Sequence, residues 1–121
     1  MKLKNILIVV DNIEISKSFY TDLFGLHVTL DMGENVMLTE GLVLQERKLW
    51  EGFTGKSVVP GGHDAELYFE ETNMDGFLAK LEAYGDKIQY VNPVEEFYGQ
   101  RVVRLYDPDL HVIEVKEVCH D

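Results

Sequence analysis

Two glutamates, Glu66 and Glu114, stand in apolar, strand-like segments, where a charge is costly without a partner. Side chains alternate between the two faces of a strand. That rule groups Glu66, Tyr68 and Glu70, and likewise Val112, Glu114 and Lys116. It also groups Asn5, Leu7 and Val9, then Val43, Gln45 and Arg47, then Val102, Arg104 and Tyr106. These faces mix amides, carboxylates, an arginine, aliphatic groups and aromatic rings, a composition suited to holding a small molecule. Two carboxylates on one face raise each other's pKa or require a cation, which Arg104, a metal or the charged end of a ligand would supply. Trp50, Phe53, Phe97 and Tyr98 lie beside these segments. With Tyr68 and Tyr106 they suit stacking against a planar or cationic guest.

Nucleophilic chemistry finds little support. No Ser-His-Asp order, dinucleotide fingerprint or full phosphate-loop spacing is present. Cys119 lies in no motif of nucleophilic catalysis and is not read as a nucleophile. His63 follows Gly61-Gly62, three residues before Glu66, and is read first as a loop histidine, second as a side chain able to swing toward a metal. His111 belongs with the turn Asp107-Pro108-Asp109 and is expected to help close it. His27 and His120 carry no motif, and His120 is expected to fray. Alternation sends Arg101 and Arg104 to opposite faces, with Arg104 on the ligand face and Arg101 on the outside.

The elements that must position these residues form a repeating pattern. The run 5–10 reads as a buried strand, with Ile6, Ile8 and Val10 facing a helix. That helix is expected over 16–24, capped by Ser16, with Phe19, Tyr20, Leu23 and Phe24 as its apolar stripe and Gly25 ending it. Strands are expected over 27–32, 36–40 and 42–47. Residues 48–64, rich in glycine, read as a linker. The pattern then restarts: a strand over 65–70, a helix over 74–84 capped by Asn73, and strands over 88–94, 100–106 and 112–118. The expectation is an α+β fold of two βαβββ repeats forming a cupped, barrel-like mixed sheet with outer helices. It is read as one domain, 1–121, with halves 1–47 and 65–121.

Composition narrows the function classes. The 121 residues suffice for one domain with its own core. Eleven Lys and Arg against 22 Asp and Glu give a formal net charge of −11. Such a surface repels phosphate backbones and anionic lipid, which disfavours nucleic-acid and membrane roles. One cysteine excludes an intramolecular disulfide and fits a reducing cytoplasm. The apolar run 6–10 is too short for a signal peptide's core.

The opening Asn5-Ile6-Leu7-Ile8-Val9-Val10-Asp11-Asn12, followed by Ser16-Lys17-Ser18-Phe19-Tyr20-Thr21-Asp22-Leu23-Phe24-Gly25-Leu26, resembles the start of vicinal oxygen chelate proteins. These include glyoxalase I, bleomycin-resistance proteins, fosfomycin-modifying transferases and extradiol dioxygenases. Glu66-Leu67-Tyr68-Phe69-Glu70 and Tyr106-Asp107-Pro108-Asp109-Leu110-His111-Val112-Ile113-Glu114-Val115 resemble the middle and end. The resemblance implies a cup whose metal ligands come from the first and last strand of each half. At those positions stand Asn5, Gln45, Glu66 and Glu114, and of these Glu114 alone matches the usual residue. With no histidine among them, the set suits Mg²⁺, Mn²⁺ or Ca²⁺ better than zinc or nickel.

Two readings stay open, with binding ahead. In one, the cup holds a small organic molecule without zinc or nickel, through Asn5, Leu7, Gln45, Trp50, Tyr68, Arg104 and Tyr106. In the other, a divalent cation on Gln45, Glu66 and Glu114 polarises vicinal oxygens of a substrate. Glu66 and Glu114 are then the catalytic carboxylates of a glyoxalase-type lyase or isomerase. The resemblance also implies a homodimer, which would cover exposed sheet edges.

Overall fold

The structure, a computed structural model, describes residues 1–119. His120 lies outside the described residues. Among these the chain forms eight strands and three α-helices. They divide into two compact units, Met1–Val59 and Pro60–Asp121. Each unit closes its own four-stranded mixed sheet with a strand-helix-three-strand core. The fold is therefore α+β, built from two βαβββ repeats.

In the first unit β1 (Ile6–Val10) leads into α1 (Ile13–Phe24), then β2 (Val28–Asp31), β3 (Asn35–Leu38) and β4 (Leu42–Glu46). The sheet order is β1-β4-β3-β2, with β1 and β4 parallel and the remaining pairs antiparallel. The stripe Ile13, Ser16, Phe19, Tyr20 and Leu23 of α1 is buried, and α1 packs on β3 and β4. The Phe19 and Tyr20 rings meet edge to face at 5.2 Å. Opposite them, Val36 and Leu44 pair across β3 and β4, both fully buried. Truncating Leu44 to alanine would cost about 3 kcal/mol in lost burial and cavity.

Two local expectations are corrected here. The helix α1 begins a turn before Ser16, because Asn12 is the cap: its side chain accepts from the Ile15 N–H. Ser16 is instead buried inside the helix, its N–H donating to the Asn12 carbonyl. The stretch 48–64 is not all linker, since α2 (Arg47–Thr54) occupies its start. Glu46 caps α2 by accepting from the Leu49 N–H, and Gly55 ends it at φ 70°, a left-handed conformation that favours glycine. The strand β4 consequently stops at Glu46, and Arg47 becomes helical and pairs with Asp11 at 3.1 Å.

The second unit runs β5 (Glu66–Glu71), α3 (Met74–Tyr84), β6 (Gln89–Phe97), β7 (Gln100–Tyr106) and β8 (Val112–Glu117). Its sheet order, β5-β8-β7-β6, repeats that of the first unit, with β5 and β8 parallel. Asn73 caps α3 as expected, accepting from the Gly76 N–H. Met74, Phe77 and Leu81 of α3 are buried, as are Val103, Leu105, Ile113 and Val115 of the sheet. The turn after β7 is closed by Asp107, whose carboxylate accepts from the N–H groups of Asp109 and His111 and holds His111 Nδ1 at 2.7 Å. Burial opposes protonation of His111, but the Asp107 hydrogen bond and the charges of Asp107 and Asp109 outweigh it and raise its pKa. No helix among the described residues is long and apolar enough to cross a membrane.

Arg101 ties α3 to the sheet. Its guanidinium donates to Glu117 at 3.1 Å and 2.8 Å and to Asp75, in the first turn of α3, at 2.7 Å. It therefore sits on the α3 side, opposite Arg104, as alternation requires. Hydrogen bonds from the guanidinium and from Arg101's own N–H hold the Glu117 carboxyl at about 2, against an ordinary 4.5. A depressed folded pKa stabilises above the ordinary value and is lost as pH falls through the folded one. Glu117→Gln should therefore lower the denaturation midpoint at pH 7, and the gap to wild type should close between pH 4.5 and about 2. Denaturant melts of both proteins across that window check it.

Candidate functional site

The parallel pairing of β5 with β8 sets the centre of the site. In register Glu66 lies opposite Val112, and Tyr68 opposite Glu114. On the other side of β8, Arg104 of β7 lies opposite Glu114, and Tyr106 opposite Val112. Laterally paired residues point to the same side, so Glu66, Tyr68, Arg104, Tyr106 and Glu114 share the face turned away from α3. Asn92 of β6 extends the Glu114 row and Lys116 begins the next, opposite Glu70.

Arg104 and Glu114 are joined directly. The guanidinium donates from Nε to Glu114 Oε1 at 2.8 Å, and its Nη2 lies 2.7 Å from the same oxygen as an ion pair. Its Nη1 reaches Glu95 Oε1 at 3.3 Å. The Glu114 side chain keeps only 16% of its exposure, so this pair is screened less than a surface ion pair. One guanidinium thus meets two carboxylates, the less exposed of them Glu114.

Two phenols border the pair. The Tyr68 hydroxyl donates to Glu70 Oε2 at 3.0 Å. Burial, that hydrogen bond and the charges of Glu70 and Glu114 push its pKa above the ordinary tyrosine value, so the phenol stays neutral and protonated at pH 7. The Tyr106 hydroxyl lies 3.0 Å from His63 Nε2, with the two rings tilted at 5.9 Å. His63 adopts φ 54°, in the left-handed region, so its approach to Tyr106 is held by a strained loop conformation.

The first unit presents the other expected residues. Gln45 is half-buried on the β1–β4 face with Val9 opposite it, and its amide donates to Asn35 Oδ1 at 3.0 Å. Leu7 is exposed in β1, opposite Val43. Asn5 is exposed and precedes β1, because pairing with β4 begins only at Ile6. The same edge position leaves Ile6 and Leu7 exposed, where a wholly buried strand was expected. Trp50 is half-buried and belongs to α2, not to a loop. Phe53 is exposed, and Tyr98 projects fully at the turn between β6 and β7.

The donor chemistry does not fit a divalent metal. Glu114, the carboxylate expected to coordinate, is engaged through Oε1 by Arg104, in one hydrogen bond and an ion pair. His63 Nε2 is turned to Tyr106; Gln45 spends its amide N–H, not its oxygen, on Asn35. Among the described residues no group of three His, Cys, Asp or Glu side chains is placed to hold a metal ion.

Comparison with known proteins agrees with the two-repeat fold. The glyoxalase-like domain family matches residues 3–120. The chain belongs to this family. Among solved structures, a protein of unknown function from Agrobacterium tumefaciens str. C58 is 35% identical, with a TM-score of 0.81 over 98% of this chain and 94% of that one. A lactoylglutathione lyase from Agrobacterium tumefaciens is 21% identical, with a TM-score of 0.72 over 96% and 92%. A fosfomycin resistance protein from Mesorhizobium loti is 13% identical, with a TM-score of 0.72 over 97% and 92%. At such identities the last two show the glyoxalase-like fold alone. No curated protein sequence matches the chain.

Glu95 and the His63–Tyr106 contact were not foreseen. The strand β6 was expected to end at residue 94, but it runs to Phe97 because Tyr98 (φ 51°) and Gly99 (φ 80°) form a tight hairpin turn. The glycine ahead of Gln100 was the signal for it. A double-mutant cycle with Arg104→Met and Glu114→Gln should show a coupling of about 1–2 kcal/mol, with each single variant less stable than the pair. Urea melts of the four proteins measure it.

Proposed function

We propose that this chain is a small-molecule-binding member of the glyoxalase-like family that uses no zinc or nickel. The carrying observation is the Arg104–Glu114 pair. It neutralises the carboxylate of the expected metal centre and leaves a polar surface bordered by the rings of Tyr68, Tyr106 and His63. Protonated phenols beside carboxylates favour a planar or cationic organic guest, held by stacking and by charge. The net charge of −11 favours the approach of such a guest. Asn5, Leu7, Gln45 and Trp50 belong to the same binding reading as residues of the first unit.

The alternative is a divalent-metal lyase or isomerase with Glu66 and Glu114 as its carboxylates and Gln45 as a further ligand. The shared face of Glu66 and Glu114 favours it. The engagement of Glu114 by Arg104 counts against it. We further read the protein as a cytoplasmic homodimer. Its exposed Cys119 suits a reducing compartment, and β2 is an edge strand with Val28 and Leu30 exposed.

Titration with N-methylquinolinium, followed by tyrosine and tryptophan fluorescence, tests the binding reading. Binding should be saturable, unchanged by EDTA, and weakened about tenfold by Tyr106→Ala, matching the loss of one stacking contact of about 1.4 kcal/mol. Formation of lactoylglutathione that depends on added Mn²⁺ or Ni²⁺ would establish the alternative instead.

A further inference from the structure

The residues of the second unit face point past the exclusion of a metal to what replaces it. The Arg104 guanidinium donates to Glu114 from Nε and to Glu95 from Nη1, with Nη2 forming an ion pair with Glu114 at 2.7 Å. A planar fork with fixed donors fits two carboxylates at once in a way that a single ammonium does not. Lys116, the other cation of this face, lies one row away, opposite Glu70. Two anions brought to one place need a positive charge between them, and the chain carries that charge in its own sequence.

We propose that Arg104 is the resident cation of this face, standing where a divalent ion would otherwise be required, and that it keeps Glu95 and Glu114 closed to external cations. The proposal rests on the metal-free reading above and deepens it by naming the residue responsible. Removing the guanidinium leaves both carboxylates without the cation they share. Hard divalent cations accept such a pair, completing their shell with water. Divalent affinity is therefore latent in the fold and suppressed by one side chain.

The probe is Mn²⁺ alone, read site by site through paramagnetic broadening in NMR spectra, so that ions elsewhere on an acidic surface do not count. In the wild-type protein the Arg104 Nε–H signal and the Glu114 signals should stay sharp in millimolar-range Mn²⁺ that broadens exposed acidic positions. Selective broadening of those signals would overturn the proposal, and this arm needs no variant to fold. In Arg104→Gln, checked for folding by circular dichroism, Mn²⁺ should bind at Glu114 at least about tenfold more tightly than in wild type. The double variant Arg104→Gln, Glu114→Gln should lose that gain. A folded Arg104→Gln protein with no gain would overturn the proposal. Because Mn²⁺ is read without any organic probe, failure here and failure of N-methylquinolinium binding are separate results.

Discussion

Each half of the chain is organised by the parallel pairing of its first strand with its last. In the first unit this is β1 with β4 and in the second β5 with β8. A parallel pair requires a long crossover, and here the helix and the two intervening strands supply it. The last strand is thereby flanked on both sides, by the first strand and by the third. Any residue on β8 facing away from α3 must therefore meet neighbours from β5 and β7. Glu114 is that residue, with Tyr68 on one side and Arg104 on the other. The composition of the site follows from this register, and a one-residue slip of β8 would turn Glu114 toward α3, away from Tyr68 and Arg104.

The two arginines of β7 show how one strand serves both layers. Arg101 faces α3 and fixes its first turn to the end of β8 through Asp75 and Glu117. Three residues on, Arg104 faces the other way and joins Glu114 to Glu95. Each guanidinium bridges two carboxylates and offsets one of their two charges. The first pair secures the helix on the sheet. The second decides what the opposite face can bind, because a carboxylate already satisfied by a guanidinium offers little to a metal ion.

Much of this was legible in the sequence. The repeated order of strands and helices follows from apolar periodicity, and the face shared by Glu66, Tyr68, Arg104, Tyr106 and Glu114 follows from alternation alone. Asn73 and the Asp107 turn carry local hydrogen-bonding signals that act over three or four residues, and both were readable. Less legible were features set by competition between local signals. Asn and Ser are both cap-forming types, and Asn12 caps α1 while Ser16 falls with Ile13 and Tyr20 on the buried stripe. Residues 47–54 hold a glycine at position 52, which masks a helix that Glu46 and Gly55 nonetheless delimit. The partners of Arg104 were half visible. Glu114 falls on the face of Arg104 by alternation, but Glu95 enters only because the Tyr98-Gly99 turn lengthens β6. The engagement of His63 with Tyr106 depends on a loop conformation that no periodicity encodes.

The central claim is that the charge of Glu114 is met from within the chain, by Arg104. Elemental analysis of protein purified without chelator and without a metal-affinity step measures this directly. The account predicts zinc, nickel and manganese all far below one ion per chain. One tightly held ion per chain, lost on Glu114→Gln, would contradict it.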